Sequence, residues 1–450
     1  MNNLEHSFKQ NYITLFEKNK TKLPGWCFPW VDELRNQNLN FFFENDLPHT
    51  NDEEWKYTSL SELIKQTWVW PSATENTISL EIMSILDELS KLSDNKLVFI
   101  DGQFYEQLSS IVNLPKGVHL IDLAYGLNNQ ASLVQNFFKD YSSNHHSVFD
   151  SINTALMSNG FLLKLEQNTV VKNPIQLIFI SSQQSVSSAL HLKNLIHLEA
   201  NSQANIVEIY IGLNQVNSFT NTVTEITLDK NSQLRHCRLQ QEATNAYHIG
   251  SCRVNQAQDS YYVSDVFSFG ASLSRYNLDV NLESVGANCQ LNGLYLTKDR
   301  QHHDHHLCVT HLKPQTYSYQ DYKGILNDFS RAVFNSRVVI KKDAQRSISK
   351  QLNKNIMLSP SVEIDTKPEL QIYADDVKCS HGTTVGQLDK ESLFYLCSRG
   401  LAKELANNLL TYGFVKEVID RIPHNPTHNY ITKNLFNELS QSKLIGEFLC

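Results

Sequence analysis

The sequence predicts a mainly β protein with a helical region at each end of its 450 residues. From Gly160 to about Thr384, runs of alternating apolar and polar residues repeat as strand, polar corner and strand. The corners recur at roughly 22 to 30 residues, a spacing typical of solenoids, in which stacked strand pairs bury a continuous core. They are expected at Asn201, Asn231, Ala257, Gly286, Pro314, Ala344 and Thr366. The spacing favours a parallel β-helix, while the irregular repeat length leaves a β-sandwich with long hairpins as an open alternative.

Two regions precede the repeat. Residues 1–95 are predicted to be mainly helical, because DEEWKYTSLSELIKQ and ISLEIMSILDELSKL carry apolar residues at helical spacing. Residues 96–159 are predicted to be an α/β connecting segment, in which KLVFIDGQF and GVHLIDLAYG resemble strands and SINTALMSNG a short helix. The predicted β core then covers residues 160–388.

The C-terminal region, residues 389–450, returns to helical spacing. Asp389 is expected to cap a helix over KESLFYLCSR, and Gly400 to end it. Apolar residues from Leu401 to Ile422 then form a stripe along a second helix. The chain is therefore expected to end in a helical domain.

Composition and charge argue against several classes of partner. The formal net charge is -8, and the 47 acidic and 39 basic side chains are interspersed, so no basic stripe is available to bind nucleic acid. No apolar run approaches the roughly 18 residues of a membrane span. The N-terminus resembles neither a signal peptide nor an acid-poor transit peptide. We therefore expect a cytoplasmic protein without membrane association.

The cysteines and the missing motifs argue against a disulfide scaffold and against catalysis. The sequence contains no CxxC, no GxxxxGK[ST], and no GxSxG, HExxH or GxGxxG in a strand-to-helix context. We expect mostly buried, reduced thiols and no enzymatic activity of this chain by itself. The eight cysteines are Cys27, Cys237, Cys252, Cys289, Cys308, Cys379, Cys397 and Cys450.

The densest histidine cluster is HHDHH, with a cysteine and another histidine close behind. Neighbouring residues of a strand face opposite ways, so at most two or three of these side chains could converge on a metal ion. We expect a solvated polar strand end, and a free-standing metal-binding protein is the alternative. The cluster comprises His302, His303, Asp304, His305, His306, Cys308 and His311.

The segment VKCSHG contains a second pair of metal-ligand types. Cys379 and His381 are two residues apart, so in an extended strand they share one face, whereas Lys378 and Ser380 share the other. A thiolate and an imidazole are ligand types that iron sites use. From the residues alone, packing with a satisfied hydrogen bond is the more usual role for such a pair.

A carbohydrate-active β-helix enzyme is a further alternative, because such enzymes use the long groove of a solenoid. That chemistry requires carboxylates clustered on one face of neighbouring strands. Asp375 and Asp376 are adjacent and would therefore face opposite ways in a strand. The sequence thus offers little support for this class.

Three segments carry a family resemblance that covers most of the chain. TKPELQIYADDVKCSHGTTVGQLDKESLFYLCSRG closely resembles the signature of the SufD family of iron-sulfur cluster assembly proteins. The preceding DYKGILNDFSRAVFNSRVVIKKDAQRSISKQLNKNIMLSP and the N-terminal EEWKYTSL extend the match. SufB, the other member of the SufB/SufD family, resembles the chain less in ADDVKCSHG and remains the alternative within the family.

The resemblance implies a right-handed parallel β-helix that acts as a scaffold in the SUF complex. A SufB-like subunit would form a heterodimer with it, a SufC-like ABC ATPase would bind ATP, and the isolated chain could pair with itself. The chain would hold no cofactor stably, and a nascent cluster would form transiently at the SufB interface, where iron is acquired. His381 and Cys379 would lie at that interface, with His381 as a transient metal ligand. The resemblance also implies that the C-terminal helical domain, residues 389–450, docks the ATPase subunit, through Leu393, Phe394, Tyr395, Arg399 and Gly400.

Overall fold

A two-sheet parallel β-solenoid forms the centre of the computed structural model, which describes residues 2–71, 78–138, 147–183 and 186–439. Strands from β4 onwards alternate between the two sheets along the chain. Sheet A has the order β18-β16-β14-β12-β10-β8-β6-β4-β3, and sheet B the order β19-β17-β15-β13-β11-β9-β7-β5-β1-β2. The strands are β1 (Asn95–Ile100), β2 (Gln103–Phe104), β3 (Val118–Asp122), β4 (Phe161–Leu165), β5 (Ile175–Ser181), β6 (Ser188–Leu198), β7 (Gln203–Gly212), β8 (Ser218–Leu228), β9 (Gln233–Gln241), β10 (Tyr247–Gln256), β11 (Tyr261–Ser268), β12 (Leu273–Leu282), β13 (Asn288–Thr297), β14 (His302–His311), β15 (Tyr317–Leu326), β16 (Arg331–Ile340), β17 (Ile348–Met357), β18 (Glu363–Ile372) and β19 (Lys378–Gly386).

The pairing register confirms the predicted mainly β fold with a parallel solenoid core. Neighbouring strands of each sheet pair in parallel, for example Tyr247 with Leu273 of the next turn. Antiparallel pairs occur only where β2 meets β1 and β3 meets β4, at the N-terminal end of the described sheets. A sandwich built from hairpins would be antiparallel throughout, so that alternative is wrong.

Six of the seven predicted corners are found at turns. Asn201, Asn231 and Gly286 adopt a left-handed backbone, with φ of 61°, 57° and 77°, which asparagine and glycine accept more readily than most residues. The other three lie one or two residues before a left-handed position: Ala257 before Asp259, Pro314 before Gln315, and Ala344 before Arg346.

The seventh predicted corner, Thr366, is wrong because it lies inside β18. The turn-like composition around Pro368 suggested a corner. β18 is the edge strand of sheet A and, among the described strands of that sheet, pairs with β16 alone. A proline is tolerated on an edge strand because its missing N–H need not serve a second partner. Residues 373–377 form the last corner instead, between β18 and β19.

Helical regions flank the solenoid at both ends of the chain, as predicted. No helix of the described ranges is long and apolar enough to cross a membrane. The end of the predicted C-terminal region, from residue 440 and including Cys450, lies outside the described residues. The α-helices are α1 (Asn2–Asn19), α2 (Pro29–Glu44), α3 (Ser61–Ile64), α4 (Leu80–Ser90), α5 (Leu123–Asn129), α6 (Ala131–Phe138), α7 (Val148–Leu156), α8 (Lys390–Ser398), α9 (Lys403–Ile419) and α10 (Asn425–Glu438).

The helices cover the outward faces of both sheets. Val415 and Ile419 of α9 share a buried hydrophobic core with Ile209 of sheet B. On sheet A, Phe149 of α7 packs with Phe219 of β8 in a second core. Each fully buried side chain of this kind contributes about 1.5–3 kcal/mol. The helical regions are therefore continuous with the solenoid in their packing, rather than separate bodies.

Candidate functional site

The C-terminal end of the solenoid is open. β18 and β19 each pair with one neighbour, on the side of the preceding turn. An edge strand presents a row of unpaired N–H and C=O groups that can accept a strand of another chain. The interior at this end is correspondingly accessible, and the side chains of β19 are exposed or half-buried.

His381 and Cys379 lie on this last strand and share one face, as predicted from their spacing. In the register of β17 and β19, Cys379 pairs with Ser349 and His381 with Gln351. Ser349 and Gln351 are each 1% exposed and belong to the buried face of β17. Cys379 packs in part against the interior core, whereas His381 is exposed. Both side chains therefore stand over the solenoid axis at its open end.

The floor of this opening is polar. The Gln351 amide donates to Ser336 Oγ at 2.8 Å and to the Ser336 carbonyl at 3.1 Å. Further along β17, the Asn355 amide donates to Asn353 Oδ1 at 2.6 Å, and the Asn353 amide donates to Tyr295 Oη at 3.2 Å. Neutral hydrogen-bonding groups thus lie below His381 and Cys379. Such groups suit a hydrated site better than an apolar protein–protein interface.

Partial burial raises the pKa of the Cys379 thiol, and a backbone hydrogen bond from Ser349 opposes this shift only in part. The thiol therefore keeps its proton at neutral pH. In the described parts of the chain, no group of three or more His, Cys, Asp and Glu side chains could hold a metal ion. The opening thus presents two donors, one nitrogen and one sulfur.

Helix α8 follows β19 directly. Asp389 Oδ2 accepts a hydrogen bond from the Ser392 backbone N–H at 2.8 Å, and Gly400 adopts φ +92° after the helix, so both predicted ends are confirmed. α8 has no buried residue among those described. Phe394 is 75% exposed and Tyr395 is 56% exposed. Two large exposed aromatics on one short helix are typical of a protein-binding surface.

The other docking residues predicted from the resemblance lie around these aromatics. Leu393 is half-buried on α8, and the Arg399 guanidinium lies 5.1 Å from the centre of the Tyr395 ring. Arg399 is itself exposed. The structure therefore brings the predicted docking residues together on α8 and its C-terminal turn. Their role in binding stays a prediction.

The HHDHH cluster begins β14, an inner strand of sheet A, and three of its five residues are buried there, so the expected solvated environment is wrong. Its side chains alternate between the interior and the outward face. On the outward face, Thr58 Oγ1 donates to Asp304 Oδ2 at 2.5 Å, and Glu54 Oε2 lies 3.2 Å from His306 Nδ1. The N-terminal segment covers this face from about 250 residues away in sequence, which no local pattern shows.

Carboxylate–histidine pairs buried in the solenoid interior were missed from the sequence. Glu242 Oε2 lies 2.7 Å from His248 Nδ1, and Glu208 Oε1 lies 3.2 Å from His236 Nε2. Burial lowers the pKa of His248, so its imidazole is neutral at neutral pH, and each buried carboxylate is tolerated because it has a histidine partner. The sequence did carry one signal for this position. His236 is two residues after Leu234 in β9, so the two side chains share the inward face of the strand.

The thiols are less buried than expected. Among the seven described cysteines, Cys237, Cys252 and Cys289 are buried, Cys308, Cys379 and Cys397 are half-buried, and Cys27 is exposed. No disulfide joins any of these described residues.

Comparison with known proteins places this architecture in a family. Residues 179–414 match the family model described as "SUF system FeS cluster assembly, SufBD core domain". Residues 6–177 match the model of the SufBD protein N-terminal region. A SufBD family iron-sulfur cluster assembly protein of Synechocystis sp. is 33% identical over 386 residues, which cover 84% of each chain.

Two relatives are described as the iron-sulfur cluster assembly protein SufD. The protein of Escherichia coli is 27% identical over 389 residues, covering 86% of this chain and 88% of the relative. The protein of Bacillus subtilis is 25% identical over 433 residues, covering 93% and 94%. Both alignments therefore cover most of each chain.

A parallel β-solenoid with an open terminal edge and helices on both outward faces defines the class of protein as a helix-flanked solenoid. The chain belongs to the SufBD family of the SUF system for iron-sulfur cluster assembly. The resemblance predicted from the sequence is thereby confirmed.

Proposed function

We propose that this chain is the SufD-type scaffold subunit of a cytoplasmic SUF complex. It pairs with a SufB-type subunit through the open edge of the solenoid and binds a SufC-type ATPase through α8. The observation that carries this proposal is the juxtaposition on consecutive elements of an open strand edge, two metal-ligand types and an exposed aromatic helix.

The open edge supports pairing with another β-solenoid. β18 and β19 end two separate sheets at the same end of the solenoid. A partner solenoid with two matching edges can extend both sheets at once, and the main-chain hydrogen bonds then supply affinity without dependence on particular side chains. Because the same edge also fits a second copy, the isolated chain can form a homodimer that competes with the heterodimer.

The cluster site is composite. An iron-sulfur cluster is usually held by four protein ligands, mostly thiolates, and this chain offers His381 and Cys379 at the opening. The remaining ligands therefore come from the partner subunit. His381 supplies a nitrogen ligand for incoming iron or accepts a proton from a sulfur species, and Cys379 releases its proton when iron binds. The cluster and its iron are cargo, passed on rather than kept.

The chain contributes no catalysis of its own in this scheme. ATP binds to the ATPase subunit, and the motion of that subunit reaches the open edge through α8 and β19, which are consecutive in the chain. We expect the isolated chain neither to hydrolyse ATP nor to retain a stoichiometric cluster after anaerobic reconstitution.

Replacing both Phe394 and Tyr395 by Ala is expected to weaken ATPase binding by more than about tenfold, because exposed aromatics commonly dominate binding energy. The melting temperature should stay unchanged, because α8 buries none of its described residues. Titration calorimetry with the purified ATPase subunit measures the affinity of the double variant and of a control variant against that of the wild type. The matched control is Phe329→Ala, since Phe329 is 64% exposed on a turn of the solenoid. Unchanged affinity of the double variant would remove α8 from the docking surface.

Co-expression of the tagged chain with a SufB-type and a SufC-type subunit tests the proposed function. Affinity capture should retain both subunits, and native mass spectrometry should show each of them bound to this chain. Recovery of the chain alone, or only as a pair of identical chains, would contradict the proposal.

A further inference from the structure

The N-terminal motif EEWKYTSL and the outward half of HHDHH lie against each other. We call residues 53–58 the strap. The strap crosses the outward face of sheet A and contacts side chains from β12, β14, β16 and β18 in turn. β18 is the edge strand of sheet A at the open end of the solenoid. The N-terminal region is thus connected to the docking edge by direct contacts.

The strap is anchored at its centre by buried groups. The Arg275 guanidinium of β12 donates to the Glu54 carbonyl at 2.8 Å and lies 3.7 Å from the centre of the Trp55 ring. Trp55 is only 9% exposed. Thr58 donates to Asp304 of β14, which also accepts from Arg275 at 2.6 Å. These contacts hold the middle of the strap firmly on the sheet.

Two acidic side chains then reach from the strap toward the edge. The Glu54 carboxylate accepts from Arg337 of β16 at 2.7 Å, and Arg337 also donates to Glu369 of β18 at 3.1 Å. Glu53 forms an ion pair with Lys367 of β18. The hydrogen bond with His306 lowers the pKa of Glu54 to about 2, so this carboxylate is charged over the whole physiological range.

β18 needs such support because it pairs on one side only. All its residues are half-buried or exposed, in contrast to the largely buried β16. An edge strand with few buried contacts opens more readily than the strands inside a sheet. The ion pairs from the strap attach β18 through its side chains and leave its free backbone edge open for a partner strand.

We propose that the strap is a brace that holds β18 in the extended register required for strand pairing, so that the N-terminal region controls the docking edge. The proposal rests on the proposed pairing of this edge with a second solenoid. Glu53 and Glu54 are positioning residues, since they act through Lys367, Arg337 and Glu369 rather than on the partner.

Hydrogen–deuterium exchange of the isolated full-length chain tests the brace. Glu54→Gln should increase exchange in peptides that cover β18 by about three- to tenfold, because local opening becomes more frequent when a side-chain attachment is lost. Exchange in β6 and β8 should not change. Glu62→Gln is the matched control, since Glu62 of α3 pairs at 2.6 Å with Lys65, which follows the helix directly.

A charge swap separates the brace from general destabilisation. Glu53→Lys and Lys367→Glu should each increase β18 exchange and weaken capture of the SufB-type subunit, whereas the double variant should restore both. β18 exchange that is unchanged in Glu54→Gln and in the single swaps, or unchanged partner capture despite faster exchange, would overturn the proposal. If the wild-type chain captures no such subunit, the proposed function fails, and the exchange results still decide whether the strap braces β18.

Discussion

His381→Ala is expected to reduce cluster formation on the assembled complex by about 10- to 100-fold, the range in which loss of a metal-site group usually falls. The melting temperature of the complex should not change. His381 is exposed, and its ring has no hydrogen-bond partner in the described ranges. The ring therefore contributes little to folding, and its loss should be felt in the chemistry. Cluster formation and melting temperature are measured on the same purified complexes.

Two further variants make this test specific. His119→Ala is the matched control, because His119 is a half-exposed histidine near the opposite end of sheet A and pairs with Glu166 at 2.9 Å. It should leave cluster formation unchanged. Cys379→Ala should have a smaller effect than His381→Ala, because Cys379 also packs against the interior core. Full cluster formation by the His381→Ala complex would exclude the residue from the mechanism.

Acidification from pH 6.5 toward pH 4 is expected to destabilise the chain steeply. Burial lowers the pKa of His191 and His305 to about 3, and that of His303 and His311 to about 4. In the unfolded chain these groups titrate near 6.5, so below that pH the unfolded state binds more protons than the folded state. Each histidine then removes up to about 1.4 kcal/mol of unfolding free energy per pH unit, until the pH reaches its folded pKa.

The His306 pKa is shifted in the opposite direction, so this residue opposes the effect of the four other histidines on stability at low pH. Burial opposes its charged form, yet the Asp304 and Glu54 carboxylates outweigh burial and raise its pKa. Its stabilising contribution is complete below about pH 6.5 and is lost as the pH rises through the raised value. Urea unfolding between pH 4 and pH 7.5 measures the balance. A free energy of unfolding that stays constant from pH 6.5 to 4.5 would contradict the assignment of neutral, buried histidines.

His305 offers a direct check on this account. Neither nitrogen of its ring has a hydrogen-bond partner in the described structure, and the ring stacks on Tyr295 with centroids 5.1 Å apart. His305→Phe should therefore stabilise the chain at pH 5. It should also reduce the slope of the unfolding free energy against pH by up to about 1.4 kcal/mol per pH unit, the contribution of one proton.

The sequence predicted the features that local patterns encode. Apolar and polar residues alternate along each strand, and the left-handed turns at Asn201 and Asn231 recur with the turns of the solenoid. Both features can therefore be predicted from the sequence. The same alternation placed Cys379 and His381 on one face. Asp389 and Gly400 bounded α8 correctly because capping is a local interaction.

Features that depend on distant segments were not predictable in this way. HHDHH is polar in sequence and was therefore expected to be solvated. Its outward face is covered because Glu54 and Thr58, which are distant in sequence, pack against it. The apolar stripe of α9 could have been read as a partner surface, yet it packs on sheet B. Edge position alone explains why Pro368 does not break β18.

In the proposed complex, this chain completes a composite site on which a cluster forms. The most direct measurement is anaerobic reconstitution with iron and sulfide, followed by visible absorption and acid-labile sulfide analysis. The SufB-type and SufC-type subunits are compared with and without this chain, and with the chain alone. We expect a cluster only when the chain is present together with its partners. A stoichiometric cluster on the isolated chain, or equal cluster formation by the partners without it, would contradict the account.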